Sequence, residues 1–138
     1  VKYKANAGLG YTPWPGTFAL ANFLDANKDK LALSGRRALE LGSGACPVAG
    51  LAAGLLCREA TLTDRLELIH VLDASIQFGI QGLSPKPAIC AKVLDWGDLE
   101  FTESCFRAGE ADLLLMSDVV YFPMLRQKLL NTLLLLST

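Results

Sequence analysis

Arg37-Ala38-Leu39-Glu40-Leu41-Gly42-Ser43-Gly44-Ala45-Cys46 is the stretch that decides the fold. It is followed by the apolar Val48–Cys57 and then by Leu62-Thr63-Asp64. The order is a buried strand, a glycine turn, a helix, a second strand and an acid. Such an order builds a nucleotide pocket at the carboxyl edge of a parallel sheet. Gly42 and Gly44 carry no side chain, so a ligand is expected to lie against bare backbone there. Asp64, twenty residues beyond Gly44, is placed to take both hydroxyls of a ribose.

The turn discriminates between adenosine-bearing cofactors. A dinucleotide fingerprint needs a third glycine three places after the second, and Pro47 stands there. Pyrophosphate seeks free N–H groups at a helix start, and proline has none. No Gly-Lys-Ser/Thr follows the glycines, which excludes a P-loop. S-adenosylmethionine carries no phosphate. It needs room at the turn, an acid for its ribose and a negative or polar group near its cationic end, and Glu40 at the close of the first strand supplies the last.

The chain of 138 residues is sized for one domain, 1–138, with a tail over 1–11. Hydrophobic residues make up 51% and charged residues 20%, which marks a globular chain rather than a disordered one. A net charge of −1 gives no basic face for nucleic acid. The Leu129–Leu136 run is broken by Asn131 and Thr132 and is too short to span a membrane. Cys46, Cys57, Cys90 and Cys105 form no C-x-x-C pair, so neither a metal site nor a disulfide frame is expected. Reduced cysteines suit the cytoplasm or nucleus. His70 stands alone and is expected on a helix surface.

Outward from the glycine turn, strands alternate with helices. Thr17–Asn27 patterns as a helix and Arg36–Leu41 as the first strand. Val48–Cys57 is apolar on nearly every face, with Gly50 and Gly54 four apart for close approach to the sheet. Ala60–Thr63 is the second strand and Asp64–Phe78 a helix. A loop over Gly79–Pro87 leads to a third strand over Ala88–Leu94. Phe101–Arg107 is ambiguous. Ala111–Met116 is a fourth strand, and Pro123–Leu136 a closing helix with proline in its first turn. The predicted architecture is α/β: a Rossmann-like, mostly parallel sheet with helices on both faces. Glu40–Gly44, Asp64, Asp95-Trp96 and Ser117–Tyr121 all fall at strand ends on the ligand-binding edge.

The pattern resembles the class I, seven-strand S-adenosylmethionine-dependent methyltransferases. Within them it is similar to the lysine methyltransferases called methyltransferase family 16. The markers are Trp14-Pro15-Gly16, Glu40-Leu41-Gly42-Ser43-Gly44, Leu62-Thr63-Asp64, Leu94-Asp95-Trp96-Gly97 and Asp118-Val119-Val120-Tyr121. The resemblance implies that Trp14 and Ser117 border the methionine moiety. It implies that Gly42, Ser43 and Gly44 line the cofactor's backbone side with Glu40 beneath, and that Asp64 holds the ribose. Asp95 and Trp96 would flank the adenine, and Asp118 with Tyr121 would face the substrate channel as the catalytic pair. Two departures stand out. Cys46 occupies the place of a common third glycine, and only four of seven strands are present, so the fold is expected to be incomplete after the fourth.

The implied reaction is in-line methyl transfer to a protein nitrogen, most simply a lysine amine, with arginine or histidine as alternative acceptors. A lysine amine, with a free pKa of about 10.4, must first lose its proton. An aspartate is a poor base for that, so Asp118 is expected to position and attract charge. The rival class is a catalytically impaired binding or dimerisation module; an NAD-dependent oxidoreductase is opposed by Pro47. An apolar fourth strand left at a sheet edge is a template for association through 111–116.

Overall fold

The computed structural model describes residues 8–137. The expected irregular tail over 1–11 therefore lies partly outside the described residues; Leu9–Tyr11 form a 3-10 turn. Leu33–Gly35 form a second such turn, and the helices and strands are α1 (Pro15–Asn27), β1 (Arg37–Leu41), α2 (Val48–Leu56), β2 (Glu59–Asp64), α3 (Leu66–Gly79), β3 (Ile89–Val93), α4 (Leu99–Cys105), β4 (Leu113–Leu115) and α5 (Pro123–Ser137). The four strands form one sheet in the order β3-β2-β1-β4. Every pairing is parallel. Parallel neighbours need crossovers, and α2 and α3 supply them between β1, β2 and β3.

Side-chain alternation along the strands divides the core in two. On one face Ala38, Ala60, Leu62 and Leu115 pack with Leu24 of α1, Ala53 of α2, and Leu72 and Ile76 of α3. On the other face Leu39 and Leu41 pack with Leu94, Phe106 and Leu136 of α5. The helices thus lie on both faces, as the alternation of elements implies. The two small-residue positions in α2 do what their spacing suggests. A Cβ at Gly54 would collide with Ile89, and one at Gly50 with Glu40 and Leu62. The helix can sit this close to the strands only because both side chains are absent.

Three of the differences from the sequence pattern have a visible cause. Helix α1 begins two residues early because Pro15 takes the first helical position, where its missing N–H costs nothing. The ambiguous 101–107 region is a helix shifted forward, started by Asp98, whose side chain accepts from Phe101 N at 3.1 Å. Strand β4 is shorter than the apolar run 111–116. Its register begins opposite Ala38. Just before it, the Asp112 carboxylate accepts from Arg37 N at 2.8 Å and pairs with the Arg37 guanidinium at 3.2 Å. The Arg37 partner holds the Asp112 carboxyl below the usual carboxylate range. Among the described residues β4 lies at the sheet edge, paired on one side to β1. His70 is exposed on α3.

The layered core makes a simple expectation. Leu72→Ala, at a fully buried position on α3, should lower unfolding free energy in urea by about 2–5 kcal/mol. Phe78→Ala on the same helix, where the ring is 80% exposed, should stay within about 0.5 kcal/mol. Equal losses at the two positions would contradict the packing described.

Candidate functional site

The glycine turn connects β1 to α2 and needs its two glycines for conformational reasons. Gly42 and Gly44 have φ of 72° and 66°, the left-handed region that side chains disfavour. The three N–H groups that follow Gly42 are spent within the chain. Ser43 N donates to Thr63 O at 2.9 Å and Ala45 N to Gly10 O at 2.7 Å. Gly44 N donates to Asp64 Oδ2 at 2.8 Å. Two hydroxyls brace the turn from neighbouring elements: Thr63 Oγ1 donates to Glu40 O at 2.7 Å, and Ser75 Oγ of α3 to Ala45 O at 2.6 Å.

The protein itself packs against the two glycines. Where Gly42 lacks a side chain, Val119 Cγ1 and Trp96 Cζ2 stand 2.9 and 3.1 Å from the Cβ position. At Gly44 the carbonyl oxygen of Gly10 stands 2.9 Å from it. Protein atoms, not an opening, fill both places. The glycines allow the sheet end, the Trp96 ring and the Leu9–Tyr11 turn to pack together. Cys46 is half-buried in the same packing, its thiol 3.7 Å from Tyr11 O.

Among the described residues, two buried polar atoms at the turn have no hydrogen-bond partner: Glu40 Oε2 and Ser43 Oγ. Glu40 is 2% exposed. Burial pushes its carboxyl up to about 7, the Asp64 charge adds to the rise and the nearby Ser43 hydroxyl offsets part of it. Asp64 is also raised by burial, against the pull of the Arg65 and Gly44 N–H groups it accepts. Its two oxygens each take one of those N–H groups at 2.8 Å. A carboxylate has about four acceptor sites, so two remain.

A second cluster gathers at the end of β4. Leu9, Trp14, Met116, Asp118, Tyr121 and Leu133 are among the residues lining a largely apolar cavity of about 670 Å³. The Trp14 indole donates to Leu9 O at 3.1 Å. Asp118 has a left-handed backbone, φ 53°, and its Oδ2 accepts from Gly16 N at 2.7 Å. Burial raises the Tyr121 phenol, and the Asp64 charge adds to the effect, which puts the two clusters within electrostatic reach. Ser117 is half-buried in the segment between β4 and Asp118. Asp95 is exposed at the end of β3 and does not line that cavity. Trp96 is half-buried against the Leu39 and Leu41 cluster. Sequence reasoning missed Gly10, Thr17 and Ser75, which bond to the turn or to α2. A hydroxyl residue in the first turn of a helix is a pattern that points to Thr17; Ser75 lies in the interior of α3 and carries no such signal.

A chain folded in this way, with its polar groups collected beyond the strand ends, has the architecture of the nucleotide-binding α/β proteins. A precorrin-8w decarboxylase from Methanobacterium thermoautotrophicum superimposes with a TM-score of 0.57 over 94% of this chain and 64% of its own, at 14% identity. The family model for lysine methyltransferases matches residues 1–138, and the chain belongs to that family. Protein N-lysine methyltransferase METTL21A of Danio rerio is 33% identical over 126 residues, which cover 88% of this chain and 55% of that protein. METTL21A of Mus musculus is 33% identical over 91% of this chain and 55% of its own length. A human putative methyltransferase-like protein 21E pseudogene is 30% identical over 89% of this chain and 45% of its own. The chain thus spans about half the length of these relatives. Use of S-adenosylmethionine is general to the class I methyltransferases.

Glu40 gives a pH test. Its carboxyl moves from 4.5 to about 7 on folding, so between those values the folded state keeps a proton that the unfolded chain has lost. Its contribution to stability is full below about 4.5 and is lost as pH rises through about 7. Glu40→Gln cannot ionise. It should be more stable than the parent near pH 8, by up to about 3 kcal/mol at roughly 1.4 kcal/mol per pH unit of the gap. The difference should close toward pH 5 in urea titrations. A pH-independent difference would show that Glu40 is not buried in its neutral form.

Proposed function

We propose that this chain is the cofactor-binding part of an S-adenosylmethionine-dependent protein methyltransferase acting on a lysine side chain. The observation that carries the reading is the pattern of satisfied and unsatisfied groups at the glycine turn. The N–H groups of Ser43, Gly44 and Ala45 are all taken, so these three offer no donor to a phosphate. What is left is a buried acid and a hydroxyl, Glu40 Oε2 and Ser43 Oγ, with two spare acceptor sites on Asp64. A ligand with a cationic end and a ribose suits that set; a pyrophosphate does not. Membership of the lysine methyltransferase family and the relatives named for N-lysine methylation support the acceptor.

In this reading Asp64 holds the ribose hydroxyls. Glu40 and Ser43 offer negative and polar groups to the methionine end, and Trp14 and Ser117 border it. Trp96 and Asp95 flank the base. The bound cofactor supplies an electrophilic methyl group on a sulfonium sulfur. The chain's own contribution is placement of the amine in line with that methyl, which accounts for large rate factors without acid–base help. The apolar cavity beside Trp14 and Tyr121 suits the methylene stem of a lysine. Loss of the amine proton is to water, because an aspartate is too weak a base to take it from an ammonium.

The cofactor reading is tested by calorimetry with S-adenosylmethionine, S-adenosylhomocysteine and NAD. Binding of the first two and none of the third is expected. Asp64→Asn should weaken binding by about 1.5–3 kcal/mol, the scale of hydrogen bonds to a charged group. The acceptor is tested by incubating cell lysate with labelled cofactor and mapping the label by mass spectrometry. Label confined to arginine or histidine would refute the lysine assignment, and tight NAD binding would refute the cofactor.

A further inference from the structure

Helix α1 begins under unusual conditions. Pro15 occupies its first position and has no N–H, so Gly16 N is the first free donor. The preceding residue, Trp14, has no side-chain acceptor and makes no cap. The acceptor comes from 102 residues away, as Asp118 Oδ2 at 2.7 Å. The fit is close, since a Cβ at Gly16 would collide with the Asp118 carboxylate. Asp118 in turn sits at φ 53°, which aspartate and asparagine tolerate better than most residues. The residues on either side of this contact, Trp14 and Tyr121, both line the 670 Å³ cavity. At the next residue, Thr17 Oγ1 accepts from Ala49 N at 3.0 Å. That bond caps α2, whose own start at Pro47 has no side-chain cap.

We propose that Asp118 is a positioning residue: its carboxylate fastens the start of α1 to the segment after β4 and so sets Trp14 and Tyr121 as fixed walls of the acceptor channel. The idea rests on the methyltransferase reading and deepens it. Helix α1 then acts as a tie. Its first turn is held at the substrate side by Asp118 through Gly16, and the same turn holds the helix that follows the glycine turn through Thr17. A role in attracting the lysine ammonium needs the charge of Asp118. A fastening role needs only an acceptor oxygen at a left-handed residue. Asparagine keeps the second and loses the first.

The test compares Asp118→Asn, Asp118→Gly and Gly16→Ala in the full-length protein. Glycine removes the acceptor without straining the backbone, and Gly16→Ala pushes the carboxylate aside while leaving it charged. Methylation is read as kcat and KM. The setting of Trp14 is read by fluorine NMR of the fluorotryptophan-labelled protein, its signal assigned by loss in Trp14→Phe. Asp118→Asn should stay within about threefold of the parent in kcat/KM with the Trp14 signal unmoved. The other two should lose about tenfold or more, in line with the loss of a helix cap and of in-line placement, and should shift or broaden that signal. An inactive Asp118→Asn with a parental Trp14 signal would overturn the proposal in favour of the charge. So would an unmoved Trp14 signal in Asp118→Gly. A parent that binds cofactor but methylates nothing defeats the lysine reading alone, because the Trp14 comparison still decides the fastening.

Discussion

The first N–H groups of a helix have no partner within it, and at α1 and α2 another element satisfies one of them. Asp118 caps α1 and Thr17 of α1 caps α2. Asp64 of β2 accepts from the turn between β1 and α2. Helix α4 has its own cap in Asp98, and α3 starts without a side-chain cap. Each borrowed cap is a point where two elements cannot move apart without leaving a donor unpaired, at a cost of about 1–3 kcal/mol when buried. The carboxyl edge of the sheet is therefore held by specific bonds as well as by apolar packing. The two clusters of functional side chains keep their spacing for the same reason.

Beneath those bonds lies Glu40, a group the core would not choose for stability. It occupies the strand position next to α2 where Ala38 and Leu62 are otherwise the pattern, and the helix leaves room for it with Gly50. A neutral carboxyl there costs less than an ionised one, which is why burial raises it. A buried polar atom without a partner is a feature that folding alone does not reward. Glu40 and Ser43 together form such a pair at the strand end where ligands of this architecture bind.

Much of this was legible in the sequence, because the signals are local. The run Arg37–Leu41 with its glycines, the small residues of α2 and the alternation of strands and helices each follow from periodicity or from glycine's missing side chain. Boundaries were less legible where a single bond decides them: the Asp112–Arg37 pairing precedes a shortened β4, and Asp98 starts α4 ahead of the apolar signal. Long-range partnerships were not legible at all. Nothing in Trp14-Pro15-Gly16 announces an acceptor on Asp118. Nor does Gly42 reveal that Trp96 and Val119 fill the space it leaves. A glycine in a turn signals close approach, but the sequence does not say whether the approaching atoms belong to a ligand or to the protein.

The bond between Gly16 and Asp118 also bears on the order in which the chain becomes ordered. Contacts so distant in sequence carry a loop-closure cost and form after local ones. As the chain leaves the ribosome, β1, β2 and β3 with α2 and α3 can assemble from contiguous sequence. The start of α1 must wait until Asp118 has emerged and β4 has docked beside β1. Trp14 and the apolar cavity thus take shape only when both ends of this segment are in place. A nascent chain exposes that apolar surface for as long as β4 is missing.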